Sequence, residues 1–276
     1  MFQIRIGYIS AWLENLLFNR RIVIVGGTSG IGWSAASFFI KQGAKVIVTG
    51  SDSEKANRIK SQMNQSGFSM VGDASKEGIT DRAIGLCVEN FDGFDGLYHV
   101  AGGSGRKWGD GPIHEMTLEA WERTITLNLT SVMLSNRAAI RYFLDHKQTG
   151  SILNMSSVLG FSPAPKYFTT HAYATAKAAV LGLSRSLAAS YAADDIRINV
   201  IAPALTETPM SERAVLNEEI IKYIRTKQPL DGGRVGRVTD LDLAAAYFLS
   251  DYAPFTTGQV LAVDGAWMVT EGQFPT

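Results

Sequence analysis

The sequence predicts an α/β protein whose core is a doubly wound parallel β-sheet. Short β-branched runs alternate along the chain with longer stretches of helical periodicity. Such an alternation implies parallel strands joined by right-handed crossovers, with helices on both faces of the sheet. A length of 276 residues and a hydrophobic content of 46% provide for a sizeable core. Because ligands of such sheets bind outside the carboxyl ends of the strands, we expect the functional motifs directly after strands.

The elements follow from the periodicity of apolar residues. Residues 21–25 are predicted to form a buried strand, and a helix over residues 31–42 ends before Gly43, a residue typical of helix termination. The further predicted strands span residues 45–49, 68–71, 96–100, 150–155, 197–201 and 259–263, and the longest predicted helices span residues 118–143 and 172–192.

Residues 1–20 are predicted to be an N-terminal extension to a single domain formed by residues 21–276. Ile9, Trp12, Leu13 and Leu16 have helical spacing. We expect a surface helix that packs on its own domain or on a neighbouring subunit, with a weak interfacial membrane anchor as the alternative. No apolar run has the length of an integral membrane segment, and no cleavage site typical of a signal peptide follows.

Charge and cysteine content exclude several classes of protein. Lysine plus arginine equals aspartate plus glutamate, 26 against 26, so the overall charge gives no indication of a nucleic-acid partner. The single cysteine, Cys87, cannot form an intramolecular disulfide and favours a reducing, cytoplasmic location. No metal site is expected, because no cluster of metal-ligating residues is present.

A glycine-rich turn follows the first predicted strand and precedes the first predicted helix. The segment 26–32 reads Gly-Gly-Thr-Ser-Gly-Ile-Gly. Glycines allow a sharp turn and a close approach to a pyrophosphate, and the N-terminus of the helix offers free N–H groups to the phosphates. A strand before the turn and a helix after it favour dinucleotide binding over an ordinary turn.

A tyrosine and a lysine lie four residues apart in the predicted helix over residues 172–192. This spacing places Tyr173 and Lys177 on one helix face. A phenol has a pKa near 10, which is too high for a useful base at neutral pH, and a nearby ammonium favours the phenolate and lowers that pKa. The pair therefore indicates an acid/base group with a lowered tyrosine pKa.

Together these motifs resemble the short-chain dehydrogenase/reductase family over about residues 21–266, which implies a single-domain Rossmann-type fold. Gly26, Gly30 and Gly32 match the three glycines of its cofactor motif, with Thr28, Ser29 and Ile31 between them. Asp73 matches an acidic residue that contacts the adenine, and Ala101-Gly102 matches half of the family's Asn-Asn-Ala-Gly segment. His99-Val100 replaces the two asparagines, a departure from the family pattern.

The resemblance also implies the catalytic residues and the nicotinamide loop. Ser157 matches the family's catalytic serine, and Asn128 matches its fourth catalytic residue. Tyr173 and Lys177 match the catalytic tyrosine and lysine, and the resemblance implies that both also contact the cofactor. Pro203 matches the loop beside the nicotinamide, and hydroxyls such as Thr206 and Thr208 commonly bind the carboxamide there. The reaction implied is hydride transfer between a nicotinamide cofactor and a carbonyl or secondary alcohol.

The choice between NAD and NADP depends on the end of the second strand. A carboxylate there accepts a hydrogen bond from the ribose 2′-OH and repels a 2′-phosphate. Gly50 occupies the position that is acidic in NAD enzymes, and Ser51 stands where many NADP enzymes have arginine. Asp52 favours NAD if it turns inward, but it is also suited to cap the next helix. The balance favours NADP, with NAD as the alternative.

Other functions and the substrate stay open. The fold alone is compatible with a non-catalytic dinucleotide-binding sensor or interaction protein, and with an epimerase or dehydratase. A 3-oxoacyl thioester and a small ketone or alcohol are both candidate substrates. Arg106, Lys107 and Trp108 follow the fourth strand and suit an anionic or aromatic substrate or a solvated loop. From the family we expect a homotetramer or homodimer.

Overall fold

One parallel sheet organises the computed structural model, which describes residues 15–274. Its seven strands lie in the order β3-β2-β1-β4-β5-β6-β7, and every neighbouring pair is parallel. The predicted doubly wound α/β fold is therefore confirmed. The strands are β1 (Arg21–Val25), β2 (Lys45–Gly50), β3 (Gly67–Val71), β4 (Gly96–His99), β5 (Gly150–Met155), β6 (Ile196–Pro203) and β7 (Val260–Val263).

Helices connect the strands and cover both faces of the sheet. They are α1 (Gly30–Lys41), α2 (Ser53–Lys60), α3 (Ile79–Phe91), α4 (Leu118–Ile125), α5 (Ser131–Asp145), α6 (His171–Tyr191), α7 (Glu212–Val215), α8 (Glu218–Lys227), α9 (Leu230–Gly233) and α10 (Asp242–Leu249). Short 3₁₀ segments include Gly105–Trp108 after β4 and Val158–Gly160 after β5.

Two apolar layers hold the helices to the sheet. Along β1, Ile22 and Ile24 belong to one layer, which α1 and α10 complete, whereas Val23 and Val25 belong to the other, which α3, α5 and α6 complete. The side chains of a strand point alternately to its two faces. A strand of consecutive buried apolar residues is therefore stable only between two covered faces, as in a parallel sheet.

The order of strands reverses between β1 and β4. From β1 the chain builds outward to β3, and then returns to place β4 on the other side of β1. Val25 of β1 pairs with His99 of β4, so both strands end at the same level. The connections after these two strands diverge to opposite sides, which opens a crevice at the carboxyl edge of the sheet.

The predicted long helix over residues 118–143 contains an interruption. The segment Thr126–Thr130 forms a π-helical turn between α4 and α5. A π-turn accommodates an extra residue and is often found at functional sites. Asn128 lies within this turn, and its side-chain Nδ2 donates to the carbonyl of Thr124 at 2.9 Å, the acceptor that the Asn128 N–H would use in a regular α-helix.

The helix predicted for the N-terminal extension does not reach Leu16. Residues 15–19 form turns, in which Asn15 (φ 73°) and Asn19 (φ 60°) have left-handed backbone conformations that end a helix. Leu17 is fully buried in the core, and its N–H donates to the carbonyl of Gln42 at 3.0 Å. Ile9, Trp12 and Leu13 lie outside the described residues.

None of the helices within residues 15–274 combines the length and the apolar character that crossing a membrane requires. In the same part of the chain, histidine, cysteine, aspartate and glutamate side chains form no group of three or more that could hold a metal ion. Cys87 is buried as a free thiol, and burial raises its pKa to about 12.

Candidate active site

A cleft of about 1390 Å³ lies at the carboxyl edge of the sheet, between the loops that follow strands β1 to β6. It brings together most of the residues singled out from the sequence. Those that line it are Gly26, Thr28, Ser29, Gly30, Ile31, Ser51, Asp73, Ala101, Gly102, Ser157, Tyr173, Lys177, Pro203, Thr206 and Thr208. Gly32 and Asn128 do not line the cleft; they contact the loops that do, Gly32 at Gly26 and Asn128 at Gly103.

The glycine turn after β1 fits against the loop after β4 without room for side chains. Gly26 has a φ of 88°, and a Cβ there would lie 2.5 Å from the backbone nitrogen of Ala101. A Cβ on Gly32 would lie 2.2 Å from the carbonyl oxygen of Gly26. Only glycine satisfies both contacts, because Cβ atoms do not approach other heavy atoms this closely. The turn therefore folds tightly over the end of β1.

The N-terminus of α1 faces the cleft with free backbone donors. Ser29 is the N-cap, and its side chain makes no capping hydrogen bond. The first turn of a helix has N–H groups without intrahelical partners, together with the positive end of the helix dipole. Gly30 and Ile31 belong to this turn and line the cleft. This is a fit for the pyrophosphate of a dinucleotide.

The end of β2 has no room for the carboxylate that would favour NAD. A Cβ on Gly50 would lie 2.2 Å from the hydroxyl of Thr28. Asp52 caps α2 instead, since its Oδ1 accepts from the N–H groups of Glu54 and Lys55 at 3.0 and 3.1 Å. These bonds, with Lys55 contributing most, lower the pKa of Asp52. The capping interpretation of Asp52 is thus the one that the structure supports.

Asp73 also has a local partner. Its Oδ1 accepts from the backbone N–H of Ser75 at 2.9 Å and from the Ser75 hydroxyl at 2.7 Å. This is the turn-forming arrangement typical of aspartate in loops. The second carboxylate oxygen, Oδ2, makes no hydrogen bond to protein groups within residues 15–274, and the side chain lines the cleft.

Lys177 is held deep at the floor of the cleft. Its side chain is 2% exposed, and its ammonium donates to the carbonyl of Met155 at 3.0 Å. The Ser156 hydroxyl donates to the carbonyl of Lys177 at 2.8 Å, so β5 and α6 are joined at this residue in both directions. Burial lowers the pKa of Lys177 to about 8, because an ammonium loses its hydration inside the protein.

Tyr173 and Ser157 meet next to this lysine. Burial raises the pKa of the Tyr173 phenol, and the proximity of the Ser157 hydroxyl acts in the opposite direction. The Lys177 ammonium lies 5.6 Å from the centre of the Tyr173 ring. The expectation of a lowered tyrosine pKa is therefore wrong for the protein alone: loss of solvation outweighs the stabilisation that the neighbouring groups provide.

Asn128 supports the loop after β4 from behind. Its Oδ1 accepts from the N–H of Gly103 at 3.0 Å, and its Nδ2 donates to the carbonyl of the same residue at 2.9 Å. A Cβ on Gly102 would lie 2.8 Å from Asn128 Oδ1 and 3.3 Å from Lys177 Nζ. The glycine thus lets the asparagine and the lysine approach one another beneath the cleft.

His99 takes over a polar role at the position where the family has asparagine. It is fully buried: Nδ1 contacts the Ser135 hydroxyl at 2.7 Å, and Nε2 contacts the Ala101 carbonyl at 3.1 Å. These partners fit a neutral ring that donates from Nε2. Burial, and secondarily the charge of Lys177, lowers the pKa of His99 to about 3. His99 thus places a polar side chain at the end of β4, where the family pattern has asparagine.

The loop after β6 forms the opposite wall. Thr206 donates to the carbonyl of Ala204 at 3.2 Å, and Thr208 contacts the hydroxyl of Ser211 at 3.2 Å. Ser211 in turn donates to the carbonyl of Thr206 at 2.6 Å. Pro203 ends β6 and lines the cleft. The threonine hydroxyls are therefore held by a network local to this loop.

Asp110 is a site residue that the sequence interpretation missed. Its carboxylate is 2% exposed and accepts from the backbone N–H groups of Ala172 and Tyr173, both at 3.0 Å. Thr170, the N-cap of α6, makes no side-chain capping bond. Asp110 thus caps the helix of Tyr173 from a different loop. A carboxylate between two glycines after β4 was the available signal, but its partners are 62 and 63 residues away.

Known proteins share this architecture. The family model described as enoyl-(acyl carrier protein) reductase matches residues 25–267. A 2-(S)-hydroxypropyl-CoM dehydrogenase of Xanthobacter autotrophicus is 32% identical over 260 residues, which cover 92% of this chain and 98% of the relative. A cis-4-hydroxycyclohexanecarboxylate dehydrogenase of Sinomonas cyclohexanicum is 33% identical over 90% of this chain and 96% of the relative.

Solved structures of similar proteins have the same fold. A short-chain type dehydrogenase/reductase from Mycobacterium ulcerans superposes with a TM-score of 0.84 at 30% identity, covering 92% of both chains. A 3-ketoacyl-(acyl-carrier-protein) reductase from Brucella melitensis, solved in complex with NADH, gives 0.80 at 27% identity, covering 92% of this chain and 100% of the other.

The sheet, the glycine turn at its crevice and these relatives define a nicotinamide-dependent oxidoreductase. The family model matches residues 25–267, a range that contains all the residues lining the cleft. The chain belongs to the short-chain dehydrogenase/reductase family.

The cap from Asp110 is expected to stabilise the helix of Tyr173. Asp110→Ala leaves two N–H groups at the start of α6 without acceptors and should lower the free energy of unfolding by about 1–2 kcal/mol. Asp110→Asn keeps an acceptor oxygen and should cost less. Urea denaturation of both variants checks this, with Glu115→Gln in the same loop as control. An unchanged transition in Asp110→Ala would contradict the capping role.

Proposed function

We propose that Tyr173 is the acid/base group of a reaction that interconverts a carbonyl and a secondary alcohol. The observation that carries the proposal is the meeting of the Tyr173 phenol and the Ser157 hydroxyl beside the buried Lys177 ammonium, on the floor of the cleft that the glycine turn borders. A family membership based on matched dehydrogenases and reductases favours redox chemistry over a sensor, an epimerase or a dehydratase.

The cofactor would lie along the cleft from the turn after β1 to the loop after β6. Its phosphates would be held at the N-terminus of α1 by Ser29, Gly30 and Ile31, and its adenine half beside Asp73. The nicotinamide half would contact Pro203, Thr206 and Thr208, together with further residues of the catalytic edge, which are Ala101, Gly102, Tyr173 and Lys177. When bound, the nicotinamide donates or accepts the hydride.

The protein's own groups handle the proton. In the reductive direction Tyr173 donates its phenolic proton to the substrate oxygen as negative charge develops there. The Ser157 hydroxyl donates a hydrogen bond to the same oxygen and stabilises that charge. Because burial raises the pKa of Tyr173, its neutral, proton-donating form predominates at neutral pH. In the oxidative direction the Tyr173 phenolate accepts the proton of the alcohol, and the positive charge of Lys177 stabilises the phenolate before this transfer.

Asn128 is proposed to link Lys177 to solvent through a water molecule. After accepting from the N–H of Gly103, its Oδ1 retains a second lone pair. This oxygen lies under Gly102 on the same side as Lys177 Nζ. The role requires one water between the two side chains, and the π-turn that carries Asn128 fixes the oxygen in position.

NADP is the proposed cofactor, with NAD as the alternative. At the end of β2 a side chain on Gly50 would clash with Thr28, and the Asp52 carboxylate is engaged at the start of α2. Gly50 therefore has no carboxylate to present to the ribose 2′-position, and the Asp52 carboxylate, which lines the cleft, is paired with Lys55 Nζ at 3.3 Å. Ser51 and Lys55 line the adenosine end of the cleft and can donate to a 2′-phosphate.

The assembly and location are proposals as well. A homotetramer or homodimer is supported by exposed apolar side chains on the outer helices and the edge strand, which are Leu118, Met133, Leu144 and Leu261. A cytoplasmic location is supported by the single free thiol of Cys87, which can form no intramolecular disulfide.

Replacing Tyr173 with phenylalanine tests the acid/base role. Tyr173→Phe should lower kcat by about 10²- to 10⁴-fold, because the proton donor is removed while the ring is retained. Cofactor binding, measured by titration with NADPH and NADH, should persist. The control is Tyr191→Phe, at the other end of the same helix. Turnover within tenfold of wild type in Tyr173→Phe would exclude the proposed role.

Introducing a carboxylate at position 51 tests the cofactor preference. Ser51→Asp should weaken NADPH binding about tenfold or more relative to NADH, because the new charge repels a 2′-phosphate and accepts from a 2′-hydroxyl. The matched control is Glu54→Gln, which changes a charge in α2 without altering the end of β2. If wild type already prefers NADH, the NADP proposal is wrong.

The assembly is checked by sedimentation velocity at micromolar concentration. We expect a species of two or four chains, because the exposed apolar residues named above would be covered between subunits. A monomer at that concentration would exclude the proposed oligomer.

A further inference from the structure

Two arginines from opposite walls of the cleft converge on one carbonyl group. Arg106 lies in the 3₁₀ segment after β4, and Arg213 lies in α7 after β6. The Nη2 atoms of both donate to the carbonyl oxygen of Tyr167, at 3.1 and 3.3 Å respectively. Tyr167 belongs to the long loop between β5 and α6. The two guanidinium groups therefore bridge the substrate end of the cleft.

Neither guanidinium group has a carboxylate within salt-bridge distance in the part of the chain that the structure describes. Their shared acceptor, a peptide carbonyl, carries no net charge. Nearby carboxylates are engaged elsewhere: Asp110 caps α6, and Glu219 accepts from the Tyr167 hydroxyl at 3.4 Å. Burial, and then the charge of Arg213, lowers the pKa of Arg106, and the smaller opposite effect of the Asp110 carboxylate does not compensate for them.

Hydrogen bonds and close packing hold the backbone near both arginines in place. The Ser104 hydroxyl accepts from the N–H of Arg106 at 3.3 Å, and a Cβ on Gly105 would lie 2.0 Å from the hydroxyl of Thr124. On the other wall, Ser211 secures the turn that precedes Arg213 through its bond to the Thr206 carbonyl. The pair is thus presented by two anchored segments.

The remaining lining of this end combines positive charge with apolar surface. Lys107, Glu122 and Arg123 also line the cleft, and Arg123 forms a salt bridge with Glu119 at 2.8 Å. The lining of the cleft also includes the apolar side chains of Phe168, Leu205, Met210 and Trp267. A ligand that suits such a surface has an uncharged body and an anionic end.

We propose that Arg106 and Arg213 bind an anionic group on the substrate, a carboxylate or an oxyanion of similar geometry, while the carbonyl to be reduced lies at Tyr173. Each guanidinium donates only Nη2 to the protein within residues 15–274, so Nε and Nη1 stay available. Guanidinium groups bind carboxylates and phosphates through paired donors. This inference deepens the proposed oxidoreductase function and depends on it for the location of the reacting carbon.

The test compares ketones that differ only in the terminal charge. 6-Oxoheptanoate and 2-heptanone share the methyl ketone and the chain, as do 4-oxopentanoate and 2-pentanone for a shorter reach. Reduction of all four ketones with NADPH is measured for wild type, Arg106→Gln, Arg213→Gln and the double variant. Lys166→Gln, a charge removal in the same loop that leaves the Tyr167 carbonyl untouched, is the control.

An anion site predicts a change in KM that is specific to the charged ketone. We expect wild type to prefer an oxo acid over its neutral partner. Each arginine variant should raise KM for the oxo acid about 10- to 100-fold with little change in kcat. The reason is that a charge remote from the reacting carbon is bound equally in the ground state and in the transition state. The KM of the neutral ketone and both constants of Lys166→Gln should stay close to wild type. An equal loss for both ketones would overturn the proposal, because the arginines would then only position the loop.

Calorimetric titration of heptanoate into the cofactor-loaded enzyme separates this proposal from the proposed reaction. If no ketone is turned over but heptanoate binds wild type and not the double variant, the anion site stands and the proposed reaction fails. If heptanoate binds wild type and the double variant equally, the anion site is excluded whatever the turnover.

Discussion

The burial of the Lys177 ammonium is the constraint on which the carboxyl edge of the sheet depends. A lysine that is 2% exposed loses most of its hydration, and within residues 15–274 its ammonium donates one hydrogen bond, to the Met155 carbonyl at the end of β5. That bond requires α6 to lie directly against β5. The fit is so close that a Cβ on Gly160 would lie 2.7 Å from the backbone nitrogen of Ala178. Tyr173, one turn earlier, is thereby brought to Ser157.

A second close contact completes the edge on the cofactor side. The turn after β1 touches the loop after β4 at Gly26 and Ala101, and the same loop is secured from behind by Asn128 and His99. Each of these contacts replaces water around a backbone group with a protein partner, so the loop keeps its position without a bound ligand. The crevice of the doubly wound sheet is therefore preorganised where the nicotinamide half of a cofactor would lie.

The features predictable from the sequence are those determined by short-range patterns. All seven strands were predicted within a few residues, because each is a compact apolar run next to a turn. The glycine turn and the spacing of Tyr173 and Lys177 are equally local. The π-turn at Asn128 was not predictable, since its hydrogen-bond shift depends on the Gly103 backbone that the side chain meets. The sign of the Tyr173 pKa change was wrong because periodicity gives the face of a helix but not the depth of its burial.

The two ends of the cleft therefore differ in how the sequence encodes them. At the cofactor end, the turn, the helix that follows it and their glycines are contiguous in the chain. At the substrate end, the Tyr167 carbonyl joins Arg106, 61 residues away, to Arg213, 46 residues away. Such contacts depend on loop lengths and on anchors such as Asp110, which no local motif records. A family motif can thus indicate the reaction, whereas the charged groups at the other end of the cleft are brought together only by the tertiary structure, and in this chain two of them are arginines.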